Sequence, residues 1–385
     1  LEQIKKIIYI WLVRFFSIFS KPLSIKKRIV YLMSFPKNDN GLLSALITEN
    51  PNVEIIILFE KNCEEEAIRF EKMGAKIFPI STSVTFLQKA IPILMQSKVI
   101  LCDNYFPFLA GLYPKKETTI IQIWHANGAI KRFGLEDPTA IGRSFFDHLR
   151  FKQVYKRFDE YIVGSEMMGE VFRNSYGASK NSIKSYGNPR TDIYFNQKLI
   201  DEKRDSFFTK YPELKKKKII LYAPTYRNGL EDEYPFNVQQ LYEALGSDYA
   251  ILMKKHPHVL TKPVEKNYNG FLYGNLSQYS IEDLLMVTDI LITDYSSVTF
   301  DFTLLNNANK IIFYCYDLEE YDQVTGLQKD LKNWLPGEIV QSMDELILQI
   351  KKTQDCHFEN FNNKWNTYNN GQSIKRLLQH IQELL

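Results

Sequence analysis

Cysteine is scarce in this 385-residue chain, and the four thiols, Cys63, Cys102, Cys315 and Cys356, stand at no paired spacing. That scatter excludes a disulfide framework and a cysteine zinc site, and it reads as buried thiols of a reducing compartment. The histidines form no ligand pattern either: a proline separates His256 from His258 and lysines precede them, so no structural metal is expected. An excess of one charge is also missing. The 48 basic residues meet 45 acidic ones, and a net charge of +3 gives no global argument for nucleic acid. Internal repeats and low-complexity tracts are absent, apart from the lysines at 215–218, which read as a solvated approach to a strand. What is present is a globular balance, 45% hydrophobic and 24% charged, in a chain long enough for two domains.

The apolar stretch at residues 7–19 contains Arg14 and falls short of the roughly 20 residues of a spanning helix. It carries Trp11, Phe15, Phe16 and Phe19, and Lys21, Lys26, Lys27 and Arg28 follow it. Aromatics of the headgroup boundary beside cations suit a helix lying on an anionic leaflet. The plain alternative is an amphipathic helix packed on the protein. No small-residue cleavage pattern follows, which disfavours a signal peptide.

From Arg28 onward, short β-branched runs alternate with helix-length segments. RIVYLM (28–33), NVEIIILFE (52–60), KIFPI (76–80), KVILCD (98–103), TTIIQIW (118–124) and EYIVGS (160–165) read as buried parallel strands. A break near Gly187, Asn188 and Pro189 precedes a second series: KKIILYAPT (217–225), YAILMKKHP (249–257), FLYG (271–274), DILITD (289–294) and KIIFYC (310–315). The pattern predicts two Rossmann-like α/β domains facing across a cleft, at 28–190 and 191–385, behind a membrane-associating segment at 1–27. The tail SIKRLLQHIQELL (373–385) predicts an amphipathic helix with Ile374, Leu377, Leu378, Ile381 and Leu385 on one face.

Polar residues gather at the ends of predicted strands, where such sheets collect ligands. TTIIQIW runs into His125, KKIILYAPT into Pro224 and Thr225, YAILMKK into His256 after Lys254, and DILITD into Ser296 and Ser297. A helix starting after those serines offers free N–H groups to a phosphate, although simple N-capping explains them equally well. Lys254 and His256 have the chemistry to hold a diphosphate, or are a solvated turn. Arg190, fixed by Pro189, presents a guanidinium to phosphate or belongs to a rigid linker.

Taken in order, WHANGAIKRFG, YGNPRTD, YAPTYR with KKHPH, and TDYSSVTFDF resemble the CDP-glycerol glycerophosphotransferases of wall teichoic acid synthesis. The resemblance spans most of the chain from about Arg28 and is closest to the priming members, since the polymerases commonly carry a His-Gly-Thr-Pro-like sequence where HANGA stands. It implies a GT-B fold at the cytoplasmic face of the membrane, as a peripheral protein. It also implies transfer of one glycerol phosphate from CDP-glycerol to an undecaprenyl-diphosphate-linked disaccharide, with release of CMP. His125 matches the proposed general base and His256 the second essential histidine. Arg190, Pro224, Thr225, Lys254, Ser296, Ser297 and Asp301 fall to the CDP-glycerol site, and Asn127, Lys131 and Arg132 to the acceptor. No metal is obligatory in this reading, while Asp294 and Asp301 leave room for Mg2+. Three alternatives stay open: a polymerase, a CDP-ribitol-using transferase, and a non-catalytic GT-B nucleotide-binding protein. Association with other teichoic acid enzymes is a further expectation.

Overall fold

The computed structural model describes residues 2–225, 235–254, 270–274, 276–353 and 357–385. The chain divides into two compact units, the first built from residues 1–127, 133–192 and 367–385, the second from 128–132 and 193–366.

The first unit holds a sheet of β1 (Lys26–Met33), β2 (Glu54–Phe59), β3 (Lys76–Pro79), β4 (Ser97–Cys102), β5 (Thr119–Gln122), β6 (Glu160–Ile162) and β7 (Ile183–Lys184). Its order is β3-β2-β1-β4-β5-β6-β7 and every pairing is parallel. Helical connections cover both faces, which is why β1, β2 and β4 are nearly unbroken runs of buried Ile, Val and Leu. Strand order reverses between β1 and β4, placing the topological switch point at their carboxyl ends.

The second unit repeats the plan with β8 (Lys218–Tyr222), β9 (Tyr249–Met253), β10 (Leu272–Tyr273), β11 (Ile290–Thr293), β12 (Lys310–Tyr314) and β13 (Glu338–Val340). The order β10-β9-β8-β11-β12-β13 is again wholly parallel, with the switch point between β8 and β11. Each unit is Rossmann-like. The short strands β7 and β13 are additions to the predicted set. Two or three residues give no readable period, and the neighbouring strand alone makes them strands.

Several expected strands end early. TTIIQIW stops at Gln122, whose side-chain oxygen accepts the Trp124 N–H at 2.9 Å while Trp124 takes the left-handed φ of 58°. KKIILYAPT stops at Tyr222 and EYIVGS at Ile162. The domain border expected at 190/191 lies two residues before the observed break, but the C-terminal residues do not stay with the second unit. The last helix, Ser373–Leu384, buries Leu377, Leu378 and Ile381 in the first unit's core with Leu42, Leu43 and Leu46, and Asp192 accepts the N–H groups of Ser373 (3.1 Å) and Ile374 (2.8 Å).

The N-terminal helix, Glu2–Phe19, is seated on the first unit by Ile10, Val13 and Ser17. Gly111 permits the close approach, since a Cβ there would stand 2.8 Å from the Ile10 carbonyl oxygen. Asp147 anchors the helix's beginning, accepting from Gln3 and Ser144 and pairing with Arg150 at 2.6 Å. Burial pushes this carboxyl's pKa up, but those hydrogen bonds and the guanidinium outweigh it and hold it at about 2. Arg28 is a correction to the basic cluster expected after the helix: it is buried, because its guanidinium pairs with Glu54 at 2.6 Å and donates to the Ile93 carbonyl at 3.2 Å.

Leu377→Ala removes a fully buried side chain from the first unit's core and is expected to cost about 2–5 kcal/mol. A lowered urea midpoint for that unit is the measurement.

Candidate active site

In the first unit, three strand ends converge on His125. Asp103 follows β4, and its buried carboxylate accepts the N–H and hydroxyl of Ser34, both at 2.8 Å, and the N–H of Phe35 at 3.1 Å. Ser34 and Phe35 lie just past β1, so this clamp spans the switch point. The Asp103 carbonyl oxygen meets Nδ1 of His125 at 3.0 Å, and the Phe35 ring stacks on the imidazole at 3.9 Å between centroids and 10° between planes. A carbonyl oxygen only accepts, so in the neutral imidazole Nδ1 carries the proton and Nε2 carries the lone pair. That tautomer is the one a base acting through Nε2 requires.

Trp124 also packs against the imidazole. Its own ring lies 4.2 Å from His125 and stacks on Phe133 at 4.9 Å, with Phe172 and Tyr176 edge-on at 5.8 and 5.9 Å. The aromatic packing offsets a left-handed backbone that costs a bulky L-residue about 1–2 kcal/mol.

Past His125, a buried amide network fixes the turn. Asn369 donates to Oδ1 of Asn127 at 2.8 Å, its own Oδ1 accepts the Asn188 N–H at 2.7 Å, and the Asn188 side chain donates to the Ala126 carbonyl at 3.1 Å. Asn188 also accepts the Arg190 N–H at 3.2 Å, so the turn carrying Asn127 and the segment carrying Arg190 are joined. Asn127 is 1% exposed and Arg190 is buried, its carbonyl receiving Asn40 at 2.9 Å.

The second unit places its own predicted residues together. Asp294, past β11, accepts the N–H of Thr225 at 2.7 Å and of Tyr295 at 2.6 Å, drawing Pro224 and Thr225 at the end of β8 against the turn that carries Ser296 and Ser297. Ser296 Oγ accepts the Val298 N–H at 3.4 Å as the helix Val298–Phe302 begins, with Asp301 buried inside it. Tyr295 is locked beneath by its hydroxyl on Asp317 at 3.0 Å and its ring on Tyr321 at 3.9 Å. Burial, with Cys315 and Asp317 nearby, keeps that phenol's pKa far above its ordinary value.

Lys254, past β9, directs its ammonium to the carbonyls of Leu276 (3.3 Å) and Tyr279 (2.5 Å). Lys131 bridges to Leu327 in an antiparallel contact, and Arg132 faces Asp322 at 3.6 Å. Gly128 sits against Phe300, where a Cβ would come within 2.4 Å of the ring. His256 lies outside the described residues, as does Cys356; Cys63, Cys102 and Cys315 are buried thiols outside any disulfide. Among the described residues no group of three or more His, Cys, Asp or Glu side chains is arranged to hold a metal ion.

Sequence reasoning passed over Asp103, Ser34, Phe35, Asn188 and Asn369. Asp103 carried a signal, as the acid closing the apolar run KVILCD. The others sit in loops whose partners are distant along the chain.

A family described as CDP-Glycerol:Poly(glycerophosphate) glycerophosphotransferase matches residues 14–383. The chain belongs to this family. It is accordingly an enzyme, a CDP-glycerol glycerophosphotransferase. It is 35% identical over 378 residues to the teichoic acid glycerol-phosphate primase of Bacillus subtilis (strain 168), covering 97% of this chain and 95% of that protein. It is also 34% identical over 305 residues to the teichoic acid poly(ribitol-phosphate) polymerase of Bacillus spizizenii, covering 76% of this chain and 48% of that one. Among solved structures, the wall teichoic acid polymerase TagF aligns at a TM-score of 0.77 with 22% identity, covering 99% of this chain and 96% of the other. That likeness shows the fold, a GT-B arrangement of two Rossmann-like domains, as the resemblance in the sequence implied.

Burial holds the Asp103 carboxyl at about 7, although the Ser34 and Phe35 hydrogen bonds pull it down. A carboxyl whose folded pKa is raised takes up protons on folding, so its contribution to stability falls as pH rises from about 4 through about 7. Asp103→Asn presents the same acceptor and a donor to Ser34 without titrating. Relative to wild type, the variant should gain on the order of a few kcal/mol between about pH 5 and 7.5, read from urea midpoints at both pH values.

Proposed function

We propose that this glycerophosphotransferase of wall teichoic acid synthesis performs a priming step. It transfers one glycerol phosphate from CDP-glycerol to the N-acetylmannosamine hydroxyl of an undecaprenyl-diphosphate-linked ManNAc-GlcNAc. His125 Nε2 takes the proton of that hydroxyl as its oxygen attacks the glycerol-bearing phosphorus; the new P–O bond forms as the diphosphate bridge breaks and CMP departs. The observation that carries the reading is the His125 imidazole set in the Nδ1–H tautomer by the Asp103 carbonyl. His256 and the N–H groups near Ser296 and Ser297 stabilise charge on the departing CMP, with Arg190, Pro224, Thr225 and Asp301 around the donor. Lys254 acts on the donor loop through the two carbonyls it ties. Asn127 shapes the acceptor turn from inside, and Lys131 and Arg132 offer cations to the acceptor's diphosphate.

Support for one addition comes from the extent of likeness. In sequence, the two Bacillus glycerol-phosphate primases align along 97% of this chain and the ribitol-phosphate polymerases along about three quarters of it, while the fold likeness to the polymerase TagF extends over 99%. A second reading, repeated addition or a ribitol donor, is favoured by the 34% identity to the poly(ribitol-phosphate) polymerase and the 30% identity to a ribitol-phosphate primase. Mass analysis of product from CDP-glycerol and a short-chain lipid disaccharide separates the two: one added unit is expected, and a ladder of units, or turnover with CDP-ribitol alone, selects the second.

Membrane attachment is proposed through the N-terminal helix, on the cytoplasmic face. Among the described residues no helix is long and apolar enough to cross a membrane. Ile4, Ile8, Trp11, Phe15, Ile18 and Phe19 instead form an exposed stripe at helical spacing, Trp11 62% and Phe19 68% exposed, with Lys21, Lys26 and Lys27 exposed beyond it. Trp11→Ser and Phe15→Ser alter residues outside the packed face and should each weaken binding to anionic vesicles roughly tenfold while leaving the fold intact. Vesicle co-sedimentation with circular dichroism checks both.

A further inference from the structure

The clamp between β1 and β4 touches His125 twice, and we propose that Asp103 is the positioning residue of the transfer reaction, holding the His125 imidazole in tautomer and in plane. The inference rests on His125 being the base. The first grip is the Asp103 main chain, whose carbonyl fixes the Nδ1 proton at 3.0 Å. The second is its carboxylate, which holds the 34–35 turn through three hydrogen bonds and so sets the Phe35 ring flat on the imidazole. A ring held on one edge by a single hydrogen bond still rotates about that bond; stacking at 10° removes the rotation. Both grips originate in one residue at 0% exposure, so a shift of Asp103 moves both.

The bound acceptor hydroxyl therefore meets a base whose lone pair and orientation are both set from the same residue.

CMP release from CDP-glycerol with a short-chain lipid disaccharide, followed from about pH 5 to 9, tests this. His125→Ala should lower kcat by about 100-fold or more. Asp103→Ala removes the three hydrogen bonds on the 34–35 turn, so kcat should fall roughly tenfold while KM for CDP-glycerol stays within about twofold, and Asp103→Asn, which keeps an acceptor for the Ser34 and Phe35 N–H groups, should recover most of that loss. Phe35→Leu, which removes the stack at a half-buried position, should lower kcat roughly tenfold with the same KM. Wild-type kcat in D103A or in F35L, or no recovery in D103N, overturns the positioning role while the loss in H125A stands. Wild-type turnover in H125A defeats the assignment of the base itself.

Discussion

A carboxylate at the carboxyl end of a central strand, accepting N–H groups from the loop beyond the neighbouring strand, organises each domain. Asp103 does so across β4 and β1, and Asp294 across β11 and β8. A parallel sheet leaves polar backbone groups at this edge, and strand order reverses here, so no crossover helix covers them. An acid placed there satisfies the loop N–H groups and fixes two loops against each other. The chemistry-bearing side chains, His125 in one domain and the Ser296 and Ser297 turn in the other, hang from those loops.

The two clamps are built differently. Asp294 accepts the backbone N–H groups of Thr225 and Tyr295; Asp103 adds a hydroxyl and sits at a fully buried position where ionisation is opposed. Around it the first domain concentrates aromatic rings, from Phe35 and Trp124 to Phe133, Phe172 and Tyr176, so the imidazole works in a shaped apolar setting. An apolar wall strengthens each polar contact it encloses and raises the cost of a misplaced one. The strained backbone of Trp124 is tolerated because those rings and the Gln122 side chain hold it.

Much of this plan was legible along the chain. Runs such as RIVYLM and DILITD announce buried parallel strands because burial on both faces demands continuous apolar residues, and their ends mark the ligand edge without any knowledge of pairing. His125, Thr225 and Ser296 could be picked out for that reason. The order of the motif-bearing ends then pointed to the family and its GT-B fold. Periodicity also found the last helix and the apolar stripe of the first.

Tertiary structure decided what neighbours do to these residues. That the last helix returns to the first domain depends on Leu377 and Leu378 meeting Leu42 and Leu46, a contact between opposite ends of the chain that no local pattern encodes. Arg28 looked like one more surface cation until Glu54 across the sheet took it. Asn127 and Lys254 read as ligand contacts in sequence, and the fold adds Asn369 as a partner of the first and the carbonyls of Leu276 and Tyr279 as partners of the second. The sequence by itself determined the strands, their polar ends and the amphipathic faces, since those follow from local composition and period. Only the fold decided which polar end meets which, because hydrogen bonds such as those of Asp103 to Ser34 form between residues that topology, not sequence distance, brings together.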